Sequence, residues 1–140
     1  GLRLAIATTT TAANVSALLQ NSLSPEAESW FEVIGAGDVV AAKKPAPDIY
    51  HHVLERLDLL PSQCMAFEDS ENGLRAARAA GLKTVIIIND YTRSHDFHDA
   101  AIVLDHFGGP GMACRMLSES RVNGVRMLDL PLIRQLLSDA

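Results

Sequence analysis

The 140-residue chain has little that would tie it to a membrane, to nucleic acid or to an oxidising compartment. It has two cysteines, Cys64 and Cys114, and two thiols so far apart in sequence do not make a disulfide framework. That predicts a reduced, cytoplasmic protein. No apolar stretch approaches the roughly 20 residues needed to span a bilayer, so no membrane partner is expected. No run of Lys or Arg stands out, and acids exceed bases by 17 to 12, for a net charge of −5. That speaks against a nucleic-acid partner. The opening GLRLAIATTTT has none of the charged, apolar and cleavage-site regions of a secretory signal. Internal repeats, low-complexity tracts and interdomain linkers are also missing. What is present is 48% apolar and 21% charged residues, the balance of a globular chain with a real core. Residues 1–140 are expected to form a single domain.

The pattern along the chain alternates between strands and helices. LRLAIA (2–7) is short, mostly apolar and followed by polar residues, as in a buried strand of a parallel sheet. A helix follows over 12–20, with Val15, Leu18 and Leu19 on one face. NSLSPEAE (21–28) reads as a loop or helix start, and a second strand is expected at 30–34, ended by Gly35 and Gly37. A loop through Lys43 and Lys44 leads into a helix over 45–60. Pro45 and Pro47 suit its first turn, which needs no N–H donors, and Ile49, Val53, Leu57 and Leu60 follow at helical spacing. CMAF (64–67) predicts a third strand, closed by Glu68 and Asp69. Ser70 is an N-cap for a helix through Leu74, Ala77 and Ala80, with Gly81 as its terminator. KTVIII (83–88) and IVLD (102–105) are the fourth and fifth strands, separated by a polar loop. HFGGPG (106–111) is a turn. The stretch 112–140 is expected to hold a helix, a strand near 125–128 and a last helix at 132–137. This order predicts an α/β fold, an open parallel sheet with helices on both faces. A chain that starts on a core strand with no lead-in also predicts that the fold is incomplete on its N-terminal side.

Ligands of such sheets sit beyond the carboxyl ends of the strands. Three polar groups fall there. Thr8 to Thr11 follow the first strand, Lys44 sits in the loop after the second, and Glu68 and Asp69 close the third. A hydroxyl with nearby backbone N–H groups holds phosphate oxygens. A lysine supplies positive charge to a phosphoryl group. Two adjacent carboxylates hold Mg²⁺, which prefers oxygen ligands and keeps several waters. Together they make most of a magnesium-dependent phosphoryl-transfer site.

LAIATTTT (4–11), KKPAPDIY (43–50) and AFEDSENG (66–73) resemble, in order, the second, third and fourth motifs of the haloacid dehalogenase (HAD) superfamily. The resemblance runs to about Asp105. It is closest to the branch that includes β-phosphoglucomutase and CbbY-like sugar-phosphate phosphatases, and NDYTRSHDFHDAAIVLDHFG (89–108) looks especially CbbY-like. It implies a HAD-like Rossmannoid core and a Mg²⁺-dependent phosphatase of small phosphorylated sugars that works through an aspartyl-phosphate. Thr8 would hydrogen-bond the phosphoryl group, with the backbone of Thr9 beside it. Lys44 would neutralise charge on the nucleophile and the phosphoryl oxygens. Asp69 would ligate Mg²⁺, with Glu68 ligating directly or through water.

The sequence departs from the superfamily at the first motif, an Asp-x-Asp whose first Asp is the nucleophile and whose second is the general acid/base. No apolar run ending in Asp-x-Asp occurs in the 140 residues, and the helical cap of this branch is missing as well. The chain alone is therefore expected not to turn over. In the family, the nucleophile strand lies between the strands ending at Thr8 and Glu68. Without it two strand edges stand unpaired, which predicts re-pairing, self-association or a partner. The alternative reading is a non-catalytic remnant of the fold that binds phosphate or a partner protein.

Other features carry less. His95, Asp96, His98 and Asp99 have ligand chemistry but no further spaced partner, and are expected to form a solvated loop. Gly35-Ala36-Gly37-Asp38 lacks the third glycine of a dinucleotide fingerprint. His51 and His52 are expected on a helix surface, and Cys64 in the core, with no His to activate it.

Overall fold

The structure, a computed structural model, describes residues 1–118 and 124–138. Five strands and four α-helices follow in the order β1 (Ala5–Thr8), α1 (Ala12–Ser22), β2 (Val33–Ala36), α2 (Asp48–Leu57), β3 (Met65–Glu68), α3 (Glu71–Ala79), β4 (Lys83–Ile87), β5 (Ile102–Leu104) and α4 (Leu130–Ser138). All strand pairings are parallel. The strands form two parallel sheets, β1-β2 and β3-β4-β5. β1 and β3 are not hydrogen-bonded neighbours, so their facing edges have not re-paired with each other.

Alternating side chains place helices on both faces. In the first sheet, Ile6, Ile34 and Ala36 pack on Val15 and Leu19 of α1. The opposite face meets α2. A Cβ on Gly35 would lie 2.8 Å from a Val53 methyl and 3.2 Å from Ile49 Cδ1, so a strand residue without a side chain lets the helix lie close. In the second sheet, Ile86 and Val103 share a cluster with Leu74 of α3, while Val85 and Leu104 pack on Leu132 and Leu136 of α4. α2 and α3 share a third cluster, through Ile49, Tyr50, Leu54, Ala76 and Ala77. Val85, Ile86, Ile102 and Leu104 are fully buried, each worth about 2 kcal/mol of apolar transfer.

Helix ends follow local chemistry. Thr11 caps α1 and Ser70 caps α3, accepting from Asn14 N at 3.3 Å and Gly73 N at 3.2 Å. At the other end of α3, Gly81 adopts φ +81°. Gly81 N donates to Arg78 O at 2.8 Å and Leu82 N to Ala77 O at 3.0 Å, a Schellman ending. Lys83 Nζ donates to the carbonyls of Leu136 and Leu137 at 2.9 and 3.0 Å, fixing the last turn of α4 to β4. The outer edge of β5 is covered by the returning chain. Asp105 N donates to Arg115 O and Leu117 N to Val103 O, around an antiparallel bridge from Leu104 to Met116.

Several boundaries differ from expectation. The first strand runs only over Ala5–Thr8, and Leu2 and Leu4 before it are exposed. The second strand overlaps the expected 30–34 only at its last two residues. Ala27–Trp30 is a 3-10 turn with Trp30 half exposed, and the strand runs through Gly35 instead of stopping there. α2 starts at Asp48, after the prolines, and ends at Asp58 in the left-handed region, φ 52°. At 125–128 there is only an isolated bridge from Met127 to Gly108. No helix precedes α4 among the described residues of 112–129, and 119–123 lie outside them. Among the described residues, no helix is long and apolar enough to cross a membrane.

Candidate active site

The ends of β1, β2 and β3 converge on Lys44. Its ammonium donates to Ala7 O on β1 at 2.9 Å and pairs with Glu68 Oε1 at the end of β3. Only 13% of the Lys44 side chain and 8% of the Glu68 side chain is exposed, so the pair is desolvated. The same Glu68 oxygen accepts the hydroxyl of Tyr50, from the first turn of α2. The Tyr50 ring also faces the ammonium, with Nζ 5.0 Å from its centroid. Burial, reinforced by the Glu68 carboxylate, pushes the Tyr50 phenol far above its ordinary range, so the hydroxyl stays protonated and acts as donor. Glu68 is seated over Gly73, where a Cβ would lie 2.0 Å from Oε2.

Asp69 follows with its side chain exposed and accepts from Asn89 Nδ2 at 3.0 Å. The two adjacent acids therefore do different things. Glu68 is held inside by Lys44 and Tyr50, while Asp69 faces solvent at the rim. Their two carboxylates against one ammonium leave a net negative site of oxygen donors, which fits a small divalent cation with water in its remaining positions. Among the described residues, no group of three or more His, Cys, Asp or Glu is arranged to hold a metal ion, so any cation here would rest on few protein ligands.

Thr8 lies next to the Lys44-bound Ala7 and is half buried. Its Oγ1 accepts from Thr10 N at 3.3 Å, which fixes the turn. Thr9 is exposed. The turn after β2 packs on this one. Gly37, at φ +58°, sits where a Cβ would be 3.1 Å from Thr10 O. The structure thus gathers Thr8, Lys44, Glu68 and Asp69 at one end of the two sheets. Sequence reasoning missed Tyr50 and Asn89. Asn89 was findable as a polar residue just past the end of β4, beside β3. Tyr50 sits inside the quoted KKPAPDIY stretch, but its aim at Glu68 needs the packing of α2.

The remaining candidates lie elsewhere. His98 bonds Asp96 at 2.9 Å and Asp99 at 3.1 Å on the surface, while His95 accepts weakly from Glu71 N at 3.4 Å, so these residues do not converge. His52 Nε2 accepts from Arg56 at 3.0 Å. Both cysteines are free, and burial pushes both thiols up, away from nucleophilic character. A concavity of about 520 Å³ runs along β2 past Val33, Val39 and Arg56, and none of the converging residues lines it.

The profile of the haloacid dehalogenase-like hydrolases matches residues 1–81. The chain belongs to that family. It is 59% identical over 100 residues to protein CbbY of Rhodobacter capsulatus, covering 71% of this chain and 44% of that protein. It is 35% identical over 104 residues to the phosphorylated carbohydrates phosphatase of Thermotoga maritima, covering 74% of this chain and 44% of that one. Among solved structures it resembles a CbbY mutant from Rhodobacter sphaeroides in complex with xylulose-(1,5)bisphosphate. The TM-score is 0.70 at 48% identity, over 75% of this chain and 47% of that chain. The chain spans less than half the length of these relatives.

Proposed function

We propose that residues 1–140 are the partial core domain of a Mg²⁺-dependent phosphatase of small phosphorylated sugars. The observation that carries this is the convergence of Lys44, Glu68 and the Thr8 turn at the strand ends, with Asp69 at the rim. The xylulose-(1,5)bisphosphate bound by the CbbY relative favours a ketose bisphosphate as the substrate class. Two free cysteines suit a cytoplasmic setting.

Each residue has a derivable task. Thr8 Oγ1 and the N–H of Thr9 bind phosphoryl oxygens at the end of β1. Lys44 places a fixed positive charge beside them, kept in place by Ala7 O and Glu68. Asp69, with Glu68 directly or through water, would hold Mg²⁺. The ion supplies charge stabilisation to the transferring phosphoryl group. The attacking Asp and the acid/base Asp are not among the 140 residues. They belong on a strand between β1 and β3, where the aspartyl-phosphate would form and be hydrolysed by water.

The chain alone should bind Mg²⁺ with inorganic phosphate and should not hydrolyse an aryl phosphate. Calorimetric titration of wild type, Lys44→Met and Asp69→Ala tests the first expectation, and both variants should lose binding. Mg²⁺-dependent hydrolysis by wild type, abolished in Asp69→Ala, would overturn the second. A second reading is favoured by the unpaired facing edges of β1 and β3: a non-catalytic phosphate- or partner-binding unit that associates through them. Retained phosphate binding with no turnover after an Asp-x-Asp strand is supplied would favour it.

A further inference from the structure

We propose that Tyr50 is the positioning residue of this site, holding the Glu68–Lys44 pair in place from α2. The inference rests on the phosphatase reading and extends it to a residue outside the strand-end motifs. Three elements meet on one Glu68 oxygen. β3 supplies the carboxylate, the loop before α2 supplies the ammonium, and α2 supplies the phenol. Lys44 alone has four rotatable carbons and could lean toward solvent. The Tyr50 ring, buried in the α2/α3 cluster and 5.0 Å from Nζ, closes that side. Its hydroxyl occupies Glu68 Oε1, so the carboxylate keeps one orientation between Gly73 and the ammonium. Tyr50 touches no expected substrate atom, and its effect runs through the two residues it holds.

The test uses the 140-residue chain and the variants Tyr50→Phe, which keeps the ring, and Tyr50→Leu, which removes ring and hydroxyl. Lysine acetylation is followed by mass spectrometry, with exposed Lys43 as the internal reference. Lys44 should be protected in wild type, label severalfold faster in Tyr50→Phe and faster again in Tyr50→Leu, with Tyr50→Phe still unfolding in a single cooperative transition. Equal Lys44 labelling in wild type and Tyr50→Phe overturns the proposal, whatever Tyr50→Leu does to folding. Mg²⁺ titration supplies a readout that packing alone would not move. Loss of a hydrogen bond behind a metal-binding carboxylate costs about tenfold in affinity, so Tyr50→Phe should bind Mg²⁺ about tenfold more weakly. Equal affinity also overturns the proposal. Failure of the wild type to bind Mg²⁺ overturns the metal reading instead, and the labelling result then decides the role of Tyr50.

Discussion

Lys44 Nζ donates to the carbonyl oxygen of Ala7 at 2.9 Å, and this bond lies on the side of β1 that faces away from β2. The parity of the strand shows it. Glu32 N donates to Leu4 O, which places Leu4 on the β2 side. Backbone groups alternate between edges, so Ala7, three residues on, points to the opposite one. The ammonium that pairs with Glu68 on β3 is therefore also a partner of the open edge of β1. One side chain ties the two sheets together at the end where the candidate site lies.

Removing that tie should cost more than a surface ion pair would. Lys44 and Glu68 are both mostly buried, so Lys44→Met leaves an uncompensated carboxylate inside. Breaking a buried pair this way costs about 3 kcal/mol. Urea unfolding of Lys44→Met should show that loss, and Lys44→Met with Glu68→Gln should recover part of it. A Lys44→Met protein as stable as wild type would mean the pair is solvated in solution.

Gly73 offers a check on the same carboxylate from α3. Alanine in a helix gains about 1 kcal/mol over glycine. Here its Cβ would meet Glu68 Oε2 at 2.0 Å and force the carboxylate away from Lys44 and Tyr50. Losing a buried pair at about 3 kcal/mol outweighs the propensity gain. Gly73→Ala should therefore unfold at lower urea than wild type and lose Mg²⁺ binding. A more stable variant would show that Glu68 has a second, equally good seat.

Much of this was legible in the sequence because it is local. The caps Thr11 and Ser70, the terminator Gly81 and the β-branched run of β4 are set by neighbours a few residues away. The strand ends then placed Thr8, Lys44, Glu68 and Asp69 together by topology alone. What failed depends on packing at a distance. Gly35 reads as a strand breaker, yet it continues β2 because Val53 and Ile49 of α2 lie over it. Asp58 ends α2 in a left-handed conformation that glycine or asparagine more often takes. The seat of Glu68 under Tyr50 likewise needed the placement of α2.

His98 gives a pH-dependent observable away from the site. Its hydrogen bond to Asp96, and then the charges of Asp96 and Asp99, raise its pKa above the ordinary imidazole value, against a smaller opposing effect of Arg78. A group whose folded pKa lies above its unfolded one contributes stability that is fully present below the unfolded value, about 6.5, and is lost as pH rises through the folded value. The group is exposed, so the effect on unfolding is small and the direct reading is an NMR titration of the imidazole. Asp96→Asn should lower the His98 midpoint. An unchanged midpoint would mean the Asp96 contact does not persist in solution.

The two inner edges make the most discriminating prediction. Ala101 N donates to Thr84 O and Ile88 N to Leu104 O, so the even-numbered residues of β4 face β5 and its odd-numbered residues face β3. With Phe67 in register with Val85, Ala66 and Glu68 then face β4, while Met65 and Phe67 point to the open side. On β1 the corresponding outward residue is Ala7. The outer edge of β5 is covered by residues 115–117, and among the described residues no strand pairing joins β1 to β3. Amide hydrogen exchange should therefore be fast at Ala7 and Phe67 in dilute protein and slow at Ile6, Glu68 and Ile86. Raising the concentration should slow exchange at Ala7 and Phe67 selectively, in step with a larger sedimentation coefficient, because unpaired edges template pairing with another chain. A peptide strand that fits between β1 and β3 should protect the same two amides without that increase in size. Strong protection of both amides in a sample that sediments as a monomer would show that the edges are satisfied within one chain, and the association reading would fall.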